Sequence, residues 1–144
     1  MEITSNATQT VNSGANVIFT ETPYSCPCGA IKTREGSGIV TLMGGRRCFV
    51  TFGGNIGLPS TGTAGTIGLA IALQGESIPT SQMLQTAATD GIYNVNASLY
   101  VTVPRGCCYT LAVENVSSQA ITVSNANLII EGGCKIWNTI VYIS

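Results

Sequence analysis

The chain contains no histidine, and only 9% of its 144 residues are charged. Histidine is the side chain that most often acts as a general base near neutral pH, and paired carboxylates are a common alternative. The 7 acidic residues occur singly along the chain, with no close pair. These absences exclude most acid–base enzymes, and we expect no catalytic residue, no cofactor and no enzymatic activity.

Strong charge of either sign and long apolar stretches are also absent. The net charge is −1 at pH 7, and neither basic nor acidic residues form a run. Binding to nucleic acid or to an anionic membrane surface requires clustered basic residues, so we expect neither partner. The opening MEITSNATQT has no basic start followed by an apolar run. The sequence therefore predicts no signal peptide and no membrane-spanning segment.

Hydrophobic residues make up 44% of the chain, so the surface has to be formed largely by Ser, Thr, Asn and Gln. Few charges need to be desolvated when such a surface is covered by another protein. The composition therefore favours a surface that packs against copies of itself. With 144 residues, the chain is long enough for one domain with a substantial core.

Apolar residues recur with a period of two along nearly the whole chain, and turn-forming residues separate the alternating runs. The runs are TQTVNSGANVIFTET, SGIVTLMG, CFVTFGGNI, TIGLAIALQG, NASLYVTVPRG, YTLAVENV, QAITVSNANLIIEG and KIWNTIVYIS. Alternation of this kind predicts β-strands with one buried face. The predicted fold is all-β, a two-sheet antiparallel jelly-roll sandwich of roughly eight to ten strands.

Several local patterns refine this prediction. Gly44-Gly45, Gly53-Gly54 and Asp90-Gly91 are typical of turns, and FGGNIGLPSTGTAGTIG is interpreted as a glycine-rich loop rather than a phosphate-binding loop. The segment MLQTAA, which starts at Met83, could form one turn of helix, but Thr89, Asp90 and Gly91 would end that helix at once. We therefore predict a strand there. Three Asn-x-Ser/Thr triplets begin at Asn6, Asn96 and Asn115, and we interpret these asparagines as polar residues at strand edges.

The six cysteines permit three interpretations: disulfides, reduced structural thiols or a thiolate metal site. They are Cys26, Cys28, Cys48, Cys107, Cys108 and Cys134. Zinc sites favour Cys-x2-Cys spacing, which is absent here, so no metal site is predicted and all six are candidate disulfide residues. Adjacent residues in a strand face opposite sides, so Cys107 and Cys108 are expected to have different surroundings. Six cysteines allow 15 pairings, and the sequence does not choose among them.

Gly132-Gly133 is the one boundary that the sequence indicates. We therefore assign residues 1–133 to the jelly-roll domain and residues 134–144 to a C-terminal strand or arm. In KIWNTIVYIS, Ile136, Ile140 and Tyr142 alternate with Trp137 and Val141, so a strand there is apolar on both faces. It is either a further core strand or an arm that docks on a neighbour. The candidate docking residues are Trp137, Ile140 and Tyr142.

A resemblance to a known superfamily supplies a functional expectation. The run NVNASLYVTVPRGCCYTLAVENVSSQAITVSNANLIIEG resembles the C-terminal half of the C1q/TNF-like jelly roll. The opening TQTVNSGANVIFTET resembles its first strand pair, so the resemblance covers residues 2–132. The segments VNSGANVIFTET, REGSG, FGGNI, VPRGCC and NANLII are similar to small phage and prophage surface proteins of Gram-positive gut bacteria. The resemblance implies a compact homotrimer displayed on an outer surface.

Spore-surface relatives of this fold usually carry a collagen-like stalk, which this sequence does not contain. We therefore expect a structural virion protein, most simply a capsid decoration protein, made in the host cytoplasm and bound to the major capsid protein or another virion component. Two alternatives stay open. One is a receptor-binding or glycan-binding phage fibre head, with a surface glycan held by the loops at 59–65 and 89–93. The other is a spore-coat or exosporium component cross-linked through its cysteines.

Overall fold

The computed structural model describes residues 1–25 and 30–135, which form twelve β-strands and one short 3-10 helix. The strands are β1 (Glu2–Ser5), β2 (Gln9–Val11), β3 (Glu21–Tyr24), β4 (Ile31–Lys32), β5 (Val40–Met43), β6 (Arg46–Gly57), β7 (Gly65–Leu73), β8 (Glu76–Ser77), β9 (Met83–Ala87), β10 (Ile92–Val103), β11 (Cys108–Asn115) and β12 (Ile121–Lys135). The 3-10 helix is Pro79–Ser81. In the described part of the chain, no helix is long and apolar enough to cross a bilayer.

The strands form two sheets, and all their pairings are antiparallel. Sheet A has the order β10-β6-β12-β1-β3, with β2 also paired to β12. Sheet B has the order β4-β5-β11-β7-β8, with β9 also paired to β7. Two antiparallel sheets that bury one face each against the other form the predicted jelly-roll sandwich, so the fold-class prediction is confirmed.

The core lies between the sheets and follows from the period-two alternation. On β6, Val50, Phe52 and Ile56 face inward and are at most 1% exposed. From the opposite sheet, Leu69 and Leu111 are fully buried against them. Each side chain of this size stabilises the fold by about 1.5–3 kcal/mol when it is buried. The residues between them on each strand form the two outer faces of the sandwich.

One turn prediction is wrong. Gly53 and Gly54 lie inside β6, which continues to Gly57, so the loop that follows is shorter than the glycine-rich segment suggested. Space is limited at two of the β6 glycines: a Cβ on Gly54 would lie 3.2 Å from the Phe52 ring, and one on Gly57 would lie 2.8 Å from the Gly91 carbonyl oxygen. Tight packing, and not turn geometry, explains Gly54 and Gly57, whereas Gly53 has open space at its Cβ position.

Other local predictions are confirmed. The segment that starts at Met83 is strand β9, and the glycine turns at Gly44-Gly45 and Asp90-Gly91 connect successive strands. Strand β12 continues to Lys135 and pairs there with Arg46. Trp137, Ile140 and Tyr142 lie outside the described residues, as do Cys26 and Cys28, so the proposed arm and its docking residues stay predictions.

Candidate functional site

The outer face of sheet A is the broadest candidate surface of the molecule. Three of its long strands, β6, β10 and β12, present every second side chain to solvent. The strand register aligns these side chains in rows across the sheet, such as Ser98–Thr51–Ile129 and Tyr100–Phe49–Glu131. On the β10 side, the face contains Ile92, Asn94, Asn96, Ser98, Tyr100, Phe49, Thr51, Gly53 and Asn55. No residue of that set carries a charge.

Large apolar groups are exposed on this face. Ile92 is 77% exposed and Tyr100 is 69% exposed, although both lie within a regular strand. The Tyr100 ring packs against Phe49 of β6, with ring centroids 5.2 Å apart and planes tilted by 55°. Aromatic groups in such a setting are the anchors that protein interfaces prefer. This side of the face is therefore suited to contact with another protein surface.

A chain of asparagine side chains crosses the same face. Asn94 donates to Asn55 Oδ1 at 3.1 Å, and Asn55 donates to Asn125 Oδ1 at 3.0 Å. Asn125 in turn donates to Asn6 Oδ1 at 2.5 Å. Asn125 has a left-handed backbone (φ 51°) at a bulge in β12, which brings its side chain into line with the others. The four amides keep further donors and acceptors available to a ligand or a partner.

The charged residues nearest to the β10 side of sheet A are Glu131, which is paired with Phe49, and Arg47 at the start of β6. Arg47, the second residue of β6, donates through Nε to Thr102 Oγ1 at 3.2 Å. Asn127 donates to the Glu2 carboxylate, which satisfies part of that charge. Covering the β10 side of this face would thus desolvate mainly amides and hydroxyls, with Glu131 at the border of the covered area. The cost of association is correspondingly small.

The outer face of sheet B is different in kind. Ala72 and Ala112 lie directly opposite each other on β7 and β11 and form the floor of an open groove of about 220 Å³. Ile39, which is 48% exposed, and Asn16 form one wall. Glu114 closes one end, and its carboxylate accepts no hydrogen bond from another described residue. The groove is small and carries a charge, so it is a poorer surface for broad protein contact.

The cysteine positions are only partly described. Cys48 is buried in the core, whereas Cys107 and Cys108 are exposed and carry free thiols. Cys108 opens β11 opposite Met43, and the two sulfur atoms are 3.8 Å apart. In the ranges 1–25 and 30–135, no group of three potential metal-binding residues occurs. The disulfide prediction for the six cysteines stays a prediction.

The two loops considered for glycan binding lie at one end of the sandwich. Gly57, just before the first loop, pairs with Ile92, just after the second. The Tyr93 hydroxyl accepts a hydrogen bond from the Ala88 backbone at 2.8 Å, and its ring lies over Gly91. Tyr93 therefore stabilises its own loop. A flat aromatic platform for a sugar is better provided by Tyr100 on the outer face of sheet A.

Asn115 was wrongly assigned to a strand edge. It is fully buried: Nδ2 donates to the Val11 and Gln119 carbonyl oxygens at 2.9 and 3.0 Å, and Oδ1 accepts from the Ser117 backbone at 2.8 Å. Ser117 in turn accepts from the Gly68 backbone at 2.8 Å. The pair holds three chain segments together. The alternation of β11 could have indicated this burial. Leu111 and Val113 face the core, so Asn115, two residues further on, falls on the same buried face.

Solved structures share this arrangement of strands. The globular domain of the zebrafish complement 1qA protein superposes with a TM-score of 0.62 and 13% sequence identity, over 89% of this chain and 93% of that chain. The fold is that of the C1q globular domain. This agreement confirms the C1q-like part of the resemblance. No protein-family model and no curated protein sequence matches the chain.

Two carbohydrate-binding domains are more distant. The C-terminal domain of the sugar-binding protein EclA gives a TM-score of 0.36 and 11% identity, over 90% of this chain and 68% of that chain. The CBM22-1 xylan-binding domain of Xyn10C from Paenibacillus barcinonensis gives a TM-score of 0.43 and 9% identity, over 93% of this chain and 95% of that chain. TM-scores this low support no conclusion about this chain.

Proposed function

We propose that this chain is a non-enzymatic structural protein that assembles on a particle surface, and that three copies associate through the outer face of sheet A. The observation that carries the proposal is the uncharged β10 side of this face, with Tyr100 and Phe49 as apolar anchors. Burying that area costs little desolvation and removes two large apolar groups from water. A face with these properties is well suited to self-association.

The particle we propose is a bacteriophage capsid, with this protein as a decoration protein on the virion surface. The resemblance to phage and prophage surface proteins motivates this assignment, and the shortage of surface charge supports it, because attachment would then tolerate changes in salt. In this proposal, residues 134–144 attach each trimer to the major capsid protein through Trp137, Ile140 and Tyr142. Immunogold electron microscopy of particles released from the source culture tests the location directly. Gold on tails or fibres alone, or on no particle, would exclude capsid decoration.

The native mass of the purified protein tests the association. We expect assemblies built from three copies, and we expect Phe49→Glu to break the three-copy unit while leaving the thermal unfolding of the monomer nearly unchanged. Thr86→Glu, on the outer face of sheet B, is the matched control and should keep the assembly intact. A wild-type protein that stays monomeric at about 100 μM, well above the Kd range of stable complexes, would contradict the proposal.

Glycan binding is the second candidate function, and the asparagine chain on sheet A favours it. Amide groups aligned beside an exposed aromatic ring can hold sugar hydroxyls and pack against a sugar ring. This use requires the face to be open, so it competes with self-association. A monomer that gives hits on a glycan array, with loss of binding in Asn55→Ala and Tyr100→Ala, would favour this candidate over the first.

A further inference from the structure

Strand β10 is a sheet edge, and its 12 residues make it longer than the other edge strands of the described chain. One side of β10 pairs with β6 over its full 12 residues, from Ile92 opposite Gly57 to Val103 opposite Arg46. No described strand pairs with its other side. The free side therefore presents a row of backbone N–H and C=O groups that a further strand could bind.

Sheet edges in natural proteins usually carry features that prevent such pairing. The edge strands β3, β4 and β8 have them, whereas β9, which pairs with β7 beside β8, is uncharged and is 5 residues long. Strand β3 is 4 residues long and contains Glu21 and Pro23. Strand β4 is 2 residues long and ends in Lys32, and β8 is 2 residues long and begins with Glu76. Proline, charge and shortness are all recognised ways of blocking an edge. The 12 residues of β10, IYNVNASLYVTV, include no charged residue and no proline.

The apolar flank of this edge is also open. Val50, Phe52 and Ile56 of the neighbouring β6 face the core and are at most 1% exposed. Of the β10 residues that face the same core, Val95, Val101 and Val103 are at most 5% exposed, whereas Ala97 and Leu99 in the middle of the strand are only partly buried. No described strand pairs with that side of β10, although β9 and the 3-10 helix lie near the strand. A strand added there would bury the exposed area of Ala97 and Leu99 as well as pair the backbone groups.

We propose that β10 pairs antiparallel with β10 of a second copy, so that sheet A continues from one molecule into the next. The argument for a second copy is self-complementarity. Antiparallel pairing about a two-fold axis centred on Ala97 or Ser98 places core-facing residues opposite core-facing residues and polar opposite polar, for example Val95 opposite Val101 when the axis passes through Ser98. No charges of the same sign meet, since the strand has none. The pairing is isologous and closes after two copies.

This edge pairing is separate from the face contact in the proposed trimer, because one uses backbone groups in the plane of the sheet and the other uses side chains above it. Native mass distinguishes them. Six copies indicate both contacts, three the face alone and two the edge alone. Failure of the face proposal would thus leave the edge proposal standing, and the reverse also holds.

The decisive experiment is residue-resolved hydrogen exchange of the β10 amides in the full chain at high and low protein concentration. Alternate amides of β10 face β6 and are protected at any concentration. We expect the other set, which faces the free edge, to exchange at least about tenfold more slowly at the high concentration. Fast exchange of that set at every concentration would overturn the proposal.

Two variants identify what causes any protection. Ala97→Lys places a charge on the open flank, which natural edges use to prevent pairing, and we expect it to halve the native mass and abolish the concentration dependence. Thr22→Lys, on the opposite edge strand of the same sheet, is the matched control and should change neither. If Phe49→Glu abolishes the protection and Ala97→Lys does not, the face contact covers the edge, and β10 pairing is excluded. Ala97→Lys is also checked for an unchanged thermal transition, so that unfolding is not mistaken for dissociation.

Discussion

The two sheets bury the same kind of residue on their inner faces but turn different surfaces to solvent. Sheet A exposes amides, hydroxyls and the Tyr100–Phe49 pair over a wide area without charge. Sheet B has the exposed Leu84 on β9 and a groove over the buried Ala72 and Ala112 that is lined by Ile39 and Glu114. The difference shows that the sandwich core determines the fold while leaving each outer face free to specialise. Four predictions follow from it, in order of decreasing effect.

A charge on sheet A should have the largest effect. In Phe49→Glu a carboxylate would be buried at the proposed seam beside Glu131, with which Phe49 is paired in the sheet. An unpaired buried charge costs about 3–5 kcal/mol, so we expect association to weaken by at least 100-fold. Sedimentation equilibrium of this variant and of Thr86→Glu measures the difference. Equal weakening in both variants would show that the two faces do not differ in role.

The second largest difference is expected between the free energies of unfolding of variants at the buried Asn115 and at Asn55 on the outer face of sheet A. Asn115→Ala leaves two buried carbonyl oxygens and one buried N–H without partners, and we expect a loss of about 2–4 kcal/mol in the free energy of unfolding. Asn55→Ala removes hydrogen bonds that water replaces, so we expect a loss below about 1 kcal/mol. Denaturant unfolding of both variants, under conditions that keep the protein monomeric, gives the values. A loss in Asn55→Ala as large as in Asn115→Ala would contradict this assignment.

Glycine substitutions provide a smaller contrast between the faces. A Cβ on Gly68 of sheet B would lie 2.7 Å from the Met83 carbonyl oxygen, so Gly68→Ala should destabilise the fold by about 1–3 kcal/mol. Gly53 of sheet A has no heavy atom within 4 Å of that position and no left-handed backbone. Gly53→Ala should therefore stabilise by about 0.5–1 kcal/mol. Thermal unfolding of the two variants decides, and a destabilised Gly53→Ala would show that the face is not open there.

Salt should have the smallest effect. The β10 side of sheet A has no charged group to screen, so raising the salt concentration from about 50 to about 500 mM should change the association constant less than about threefold. Light scattering at both concentrations measures this. Dissociation at high salt would contradict this prediction. It would indicate that charged groups take part in the contact, either Arg47 and Glu131 of sheet A or the charged surface of sheet B.

The sequence predicted the strands well because a half-buried strand leaves its period in the order of the residues themselves. It did not predict which strands pair, since period two is the same for an edge and a central strand. The protected edges and the open β10 edge therefore became visible only with the sheet order. Gly53-Gly54 was misassigned because the sequence does not distinguish glycines inside a strand, such as Gly54, which packing requires, from glycines in a turn. Asn115 was misassigned because the sequence does not show that Val11, a partner 104 residues away, lies beside it, or that Gln119 and Ser117 fold back onto its side chain.

Strand β12 carries a consequence for the order in which the molecule can fold. It is the last strand of the described chain, yet it lies at the centre of sheet A, between β6 and β1. A ribosome therefore completes eleven strands before it supplies the one that joins them. Until Ile130 has left the exit tunnel, β1 and β6 have no common neighbour, and sheet A cannot close. During this interval the apolar strands β1 and β6 lack their shared neighbour, so we expect aggregation to set in before β12 is complete and not afterwards.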